Sequence, residues 1–253
     1  ERAKAERKLG LMMGFQSAEP LEDDWINTLP VFYRMGIRVI QLTYNERNLL
    51  GCGCLEPNDD GLTAYGRQVV GALNGTGVII DLSHVGQKTA VDAIKASRIP
   101  VIVSHANARA LTPHPRNLPD DTIKALADAG GVMGAVAWSV ICQINPDRPP
   151  TLHDFLEHID YVVNLVGVDH VGIGSDINEN FRAMPIPSDF QTQYRFLFKG
   201  DPRKVADVEG FAWLHEYPNV VRGLVARGYS DEDIVKIMGG NFLRVAREAW
   251  QRN

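Results

Sequence analysis

Two short β-branched runs constrain this chain more than anything else in it. One reads VIIDLSH and the other PVIVSHA. They carry the same pair of residues near their ends, Ser83-His84 and Ser104-His105, 21 positions apart. A spacing of about 20 residues is the length of one strand–helix repeat in a parallel α/β fold. Neighbouring parallel strands bring their carboxyl ends to one rim, so both imidazoles are expected at the same edge of a sheet. Neutral imidazole nitrogen is a favoured ligand for zinc and similar ions. A single histidine at such a place is most often a rim residue bonded to a backbone carbonyl, but the repetition favours a metal.

The rest of the chain is weighed against that expectation. At 253 residues it is long enough to bury a substantial core, and it is expected to form a single domain. Twenty-six basic and 31 acidic residues give a net charge of −5, mixed along the chain. That balance argues against nucleic acid or an anionic membrane as the main partner. No run approaches the roughly 18 apolar residues of a membrane-spanning helix. Cys52, Cys54 and Cys142 are too few and unevenly placed for a disulfide framework, which points to a reducing, cytoplasmic setting. Glu1 opens the chain, and residues 1–8 form a charged helix-like run and not a signal peptide, so the natural start is expected to lie upstream.

Taken in order, residues 9–15 (LGLMMGF) read as a buried strand, and helical spacing over 22–35 follows, with Pro30 expected to kink or split it. A second strand over 37–44 leads into a loop at 45–61. A helix starting near Thr63 and ending at Gly77 precedes the strand at 78–82. Further helix–strand pairs are expected at 88–97 and 100–103, at 120–129 and 132–138, and at 151–166 and 170–175. Residues 177–207 are aromatic and irregular, and helices over 217–227 and 231–250 close the chain, the last capped by Ser230.

Six strand–helix units in alternation require a parallel α/β fold. No GxGxxG or GxxxxGK[ST] follows any strand, so the usual nucleotide-binding signatures are missing. The strand ends carry Gln16, Tyr44, His84, His105, Trp138 and Asp176 instead. One functional residue from each of several strand ends is how a (β/α)8 barrel assembles its site. The expected fold is therefore a TIM (β/α)8 barrel, with the first one or two strands preceding Glu1 or two strands hidden from the pattern.

His84 and His105 are the metal candidates. Asp176 is a candidate general acid–base, able to take a proton from an attacking water and pass it to a leaving amine. Gln16 stands where a two-metal site wants a bridging carboxylate, and a neutral amide cannot offset two cations, so one ion or none is favoured. Arg116, in HPRN, has the planar fork of donors that suits a substrate carboxylate. Tyr44 is a candidate hydrogen-bond donor to an oxyanion. Cys52-Gly53-Cys54 lacks a second cysteine pair and is a weak metal signal.

The set QLTYN, GLTAYGRQVVGALN, GVIIDLSHVG, PVIVSHANARAL, HPRNLPDD and HVGIGSD, in this order, resembles the membrane (renal-type) dipeptidase family, peptidase M19, of the amidohydrolase superfamily. The resemblance implies a barrel of the metallo-dependent hydrolase type, a two-zinc centre, hydrolysis of dipeptides and a homodimer. Position by position, it implies that His84 and His105 ligate one zinc, Asp176 is the catalytic carboxylate and Arg116 holds the terminal carboxylate. The family's bridging glutamate aligns with Gln16 and its catalytic histidine with Tyr44, while its first-strand His-x-Asp pair has no counterpart here. The expected function is metal-dependent hydrolysis of a dipeptide or related amide with a free carboxylate, with one zinc favoured over two. The alternative is an altered or metal-free barrel that binds a small carboxylate without turnover.

Overall fold

The computed structural model describes residues 2–178 and 206–250. Strands and helices alternate along the chain, in two compact units: residues 1–102 with 245–253, and residues 103–244. Six strands occur among the described residues, each within a run read as a strand. In the first unit β1 (Met13–Phe15), β2 (Ile37–Gln41) and β3 (Ile79–Asp81) pair in parallel and in sequence order, and Asp81 pairs in turn with Ile102 of β4 (Ile102–Val103). In the second unit β5 (Val132–Ala135) and β6 (Val171–Ile173) pair in parallel, with Met133 opposite Val171. Parallel strands separated by helices form the α/β order from which barrels of this class are built.

The first unit's helices start and stop on side-chain signals. In α1 (Trp25–Met35), Asp24 accepts from the Asn27 N–H at 3.2 Å, and Gly36 closes the helix at φ 103°. The helix runs unbroken through Pro30, so the expected split does not occur. In α2 (Ala64–Thr76), Thr63 Oγ1 accepts from Gly66 N–H at 2.9 Å, and Gly77 ends the helix at φ 71°. Helix α3 (Gln87–Ala96) begins at Gly86, which has no side chain to cap it. Asp59, from the loop after β2, takes over that task. Its Oδ2 accepts from the N–H groups of Lys88 (2.6 Å) and Thr89 (3.1 Å), and its Oδ1 accepts from the Thr89 hydroxyl at 2.7 Å. A borrowed cap thus ties this loop to the helix that follows His84.

The core of the first unit gathers Ile40, Leu42, Val69, Leu73 and Ile80, all without exposure. Strand β1 departs from expectation. Leu9 and Leu11 are 85% and 86% exposed and Met13 is half exposed, whereas the apolar run read as a buried strand. Apolar composition predicts burial only where another layer covers the strand; among the described residues β1 pairs on one side, with β2.

The second unit adds α4 (Asp120–Asp128), a short α5 (Ser139–Cys142), α6 (Leu152–Val166), α7 (Tyr217–Ala226) and α8 (Asp231–Val235). Helix α5 was not expected, because four residues carry too little periodicity to read. The helix expected over 231–250 is interrupted. A π-helical turn, Lys236–Gly240, separates α8 from α9 (Asn241–Trp250), with Gly239 at φ 145°. Only glycine adopts that backbone without strain, so the Gly239-Gly240 pair marks the break. Among the described residues no helix is long and apolar enough to cross a membrane. Phe155 packs on Phe211 with ring centroids 4.9 Å apart, and Phe211 meets Tyr217 edge-on at 5.0 Å.

His158 on α6 is a buried polar post in this core. Its Nδ1 accepts from Ala108 N–H at 3.3 Å, while Nε2 lies 3.2 Å from the Cys142 carbonyl and 3.3 Å from the Thr112 hydroxyl. Burial pushes its pKa down to about 4, against a smaller upward pull from Cys142 and Asp154. An unfolded histidine titrates near 6.5. The folded state therefore resists a proton that the unfolded state accepts, and stability is full above about pH 6.5 and falls as pH drops toward 4.

Two predictions follow from these contacts. Asp59→Ala should lower stability by about 1–2 kcal/mol, as loss of a helix cap does, read from the urea unfolding midpoint. Between pH 6.5 and about 4, His158 should contribute a loss of roughly 3 kcal/mol, and His158→Gln should flatten the stability–pH curve over that window.

Candidate active site

In the first unit, the residues after β2 and β3 form one cluster around His84. Asp81 is buried, and its Oδ1 accepts from both the N–H (2.9 Å) and the hydroxyl (2.8 Å) of Ser83. The chain then turns sharply, and His84 adopts φ 64°. Left-handed backbone is unfavourable for a residue with a Cβ, and it persists where surrounding bonds over-determine it. Here the loop after β2 supplies them. Cys54 N–H donates to the His84 carbonyl at 2.7 Å, and Gly86 N–H donates to the Cys52 carbonyl at 2.8 Å. Gly53 runs so close to Tyr44 and Asn45 that a Cβ there would collide with their backbone.

The His84 ring is fixed as firmly as its backbone. Tyr44 stacks on it, centroids 4.1 Å apart and planes 21° from parallel. Asn45 Oδ1 lies 2.7 Å from Nδ1, and the Cys54 thiol donates to that same oxygen at 3.6 Å. Tyr44 and His84 are thus brought together, as the strand ends suggested. Gln16 sits past the end of β1 with its side chain exposed, and its backbone carbonyl accepts from the Gln41 amide.

In the second unit, His105, Arg116 and Asp176 follow β4 and β6. Ser104 Oγ lies 2.7 Å from His105 Nδ1. Gly134 and Gly174 let the Ser104 carbonyl approach so closely that a Cβ at either glycine would strike it, which explains the small residues leading into Asp176. Asp176 is exposed and adopts φ 55°. His84 and Asp176 are thus two of the three non-glycine residues with positive φ among the described residues, Arg7 being the third.

Arg116 is only 2% exposed, so its fate as a surface arginine is excluded. Its Nη2 donates to the His105 carbonyl at 3.0 Å, while Nε and Nη1 are buried with no hydrogen-bond partner among the described residues. A buried donor without an acceptor costs about 1–3 kcal/mol, more when charged. The neighbouring loop is pinned rigidly enough to hold it there. Asn107 exchanges bonds with Val136, donating to its carbonyl (2.9 Å) and accepting from its N–H (3.1 Å). Asn117 Nδ2 donates to the carbonyls of Thr112 and Ile141, both at 2.9 Å, and its Oδ1 accepts from Asn107 N–H at 3.1 Å. His114 accepts from the Arg116 N–H, and burial, reinforced by the charges of Arg116 and Arg109, lowers its pKa to about 4.

Asn45, Asn107 and Asn117 were not singled out from the sequence, although each lies inside a motif that was: QLTYN, SHANARAL and HPRN. Buried amides next to a functional residue were the signal available.

The donor set can be tested against the metal that the resemblance implies. Zinc sites generally take three or four protein ligands. Among the described residues no group of three or more His, Cys, Asp or Glu side chains is gathered to hold an ion, and Gln16 offers neither charge nor a buried side chain for a bridge. The chemistry at His84 does fit a single ion's imidazole ligand, because an amide oxygen at Nδ1 leaves the ligating lone pair on Nε2.

The family model for membrane dipeptidase (peptidase family M19) matches residues 1–193 and 198–253. The dipeptidase tcpJ of Claviceps purpurea (strain 20.1) is 34% identical over 245 residues, which cover 95% of this chain and 51% of that protein. The solved structure of an amidohydrolase from Pseudomonas aeruginosa aligns with a TM-score of 0.87 at 35% identity, covering 99% of this chain and 76% of that one. A metallo peptidase from Rhodobacter sphaeroides, solved with a phosphinate mimic of the dipeptide L-Ala-D-Ala, aligns at 0.77 and 25% identity over 94% of this chain and 63% of that one. The chain spans about half the length of the fungal dipeptidases it matches. The family match covers nearly every residue, and the chain belongs to the membrane dipeptidase family, peptidase family M19.

Proposed function

We propose that this chain carries the site of a metal-dependent hydrolase that cleaves a dipeptide or related amide bearing a free carboxylate. The observation that carries the proposal is Arg116. A guanidinium that is 2% exposed, with two nitrogens lacking partners among the described residues, is a charge suited to an anion, and a planar carboxylate matches its fork of donors. In a buried setting the attraction is screened far less than in water, so one such contact orients the substrate as well as binding it.

His84 and His105 are the imidazoles that the family resemblance offers to zinc, with one ion preferred to two. When bound, such an ion supplies a Lewis acid for the scissile carbonyl and lowers the pKa of water. The remaining chemistry belongs to side chains. Arg116 anchors the carboxylate and fixes where the amide lies. A carboxylate oxygen of Asp176 takes the proton from the attacking water as its oxygen bonds to the carbonyl carbon, then delivers it to the amine nitrogen as the C–N bond breaks. The Tyr44 hydroxyl is the proposed donor to the oxyanion. A reducing, cytoplasmic setting is proposed from the small, odd number of cysteines, Cys52, Cys54 and Cys142.

Arg116 and the metal give separate tests. Arg116→Met should keep the fold, judged by an unfolding midpoint no lower than wild type, because it removes an uncompensated buried charge. The same variant should raise KM for dipeptides by about 100-fold or more, in keeping with loss of a buried charge-assisted contact. Arg116→Lys, a point charge without the fork, should recover only part of that loss. Chelation should abolish turnover of a dipeptide panel and zinc should restore it. Carboxylate binding without turnover, with or without zinc, would instead identify the non-catalytic barrel.

A further inference from the structure

The loop after β2 does more than cover His84. An amide oxygen has lone pairs and no proton, so a short contact between Asn45 Oδ1 and His84 Nδ1 requires the proton on Nδ1. Asn45 is itself 4% exposed and held in place: its carbonyl accepts from Leu55 N–H at 3.0 Å, and its Oδ1 also receives the Cys54 thiol. The thiol donating to Oδ1 turns the amide oxygen-first toward the ring. Tyr44 removes the remaining rotational freedom by stacking on the imidazole. The backbone of His84 is in the left-handed region, so its ring direction depends on these neighbours more than on its own backbone preference.

We propose that Asn45 is a positioning residue that locks His84 in the Nδ1–H tautomer and so makes Nε2 its coordinating atom. The proposal rests on the reading of His84 as a metal ligand in one respect only, the identity of what Nε2 meets. The tautomer itself is a property of the metal-free protein. An outer partner of this kind raises the basicity of a ligating histidine and fixes its ring, and its loss usually lowers metal affinity by about 10–100-fold. Asn45 touches no reacting atom in this scheme; it acts through His84.

The test uses the whole chain, metal-free, with wild type, Asn45→Leu and Asn45→Asp. Leu removes the acceptor at similar volume, and Asp restores an oxygen in the same place. Long-range 1H–15N spectra of the imidazoles, taken about two pH units above the ordinary histidine pKa, read the tautomer directly. Wild type and Asn45→Asp are expected to show His84 with the proton on Nδ1, and Asn45→Leu to lose that preference. Titration with zinc sulfate should show affinity falling by about 10–100-fold in Asn45→Leu and largely returning in Asn45→Asp. A wild-type His84 protonated on Nε2 overturns the proposal, even if the leucine variant fails to fold. An Asn45→Leu protein of native circular dichroism with an unchanged tautomer overturns it too. A wild type with the Nδ1–H tautomer but no affinity for zinc upholds the positioning role and counts against the metal in the function proposed above.

Discussion

Parallel strands stop abruptly at their carboxyl ends, and the chain beyond them still has backbone donors and acceptors to satisfy away from water. In this protein short polar side chains replace the ladder. Asp81 receives Ser83, Asp59 receives the first turn of α3, and Asn107 and Asn117 tie their loop to Val136 and Ile141. The Asn48 side chain likewise donates to the Leu42 carbonyl and accepts from Leu50 N–H. Each of these groups is short, so each fixes a loop close to its strand, and rigid loops at strand ends are where barrels of this class place their chemistry.

That rigidity is what allows two unfavourable arrangements to persist. His84 and Asp176 hold left-handed backbone without being glycine, and Arg116 holds a charge where water does not reach. Each costs on the order of 1–3 kcal/mol by itself, and none would survive in a loop free to relax.

Much of this was legible in the residues. Short apolar runs located six strands because strand length and composition are written locally, and the helix caps at Thr63 and Ser230 work as their residue types suggest. Of the candidate residues at the strand ends, Tyr44 and His84 lie together in the structure. What escaped depends on distant partners. Exposure of β1 could not be read from LGLMMGF, since apolar residues do not reveal whether another layer covers them. The π-helical turn before α9 needed the backbone of Gly239, not its identity alone. Asn45, Asn107 and Asn117 looked like ordinary loop amides, because their importance lies in which buried group each one meets. The aromatic set Phe181, Phe190, Tyr194, Phe196 and Phe198 lies outside the described residues.

Arg116 also changes what a ligand means for this protein. An anion that joins the guanidinium relieves a cost already built into the folded chain, and the unfolded chain has no such cost to relieve. Binding and folding are therefore thermodynamically linked at this residue: a carboxylate at 100 times its dissociation constant adds about 2.7 kcal/mol to the folded state. Small carboxylates can then be ranked by how far each raises the melting temperature, with no reaction to follow and no substrate known beforehand. The protein's own stability becomes the assay for what its site was shaped to hold.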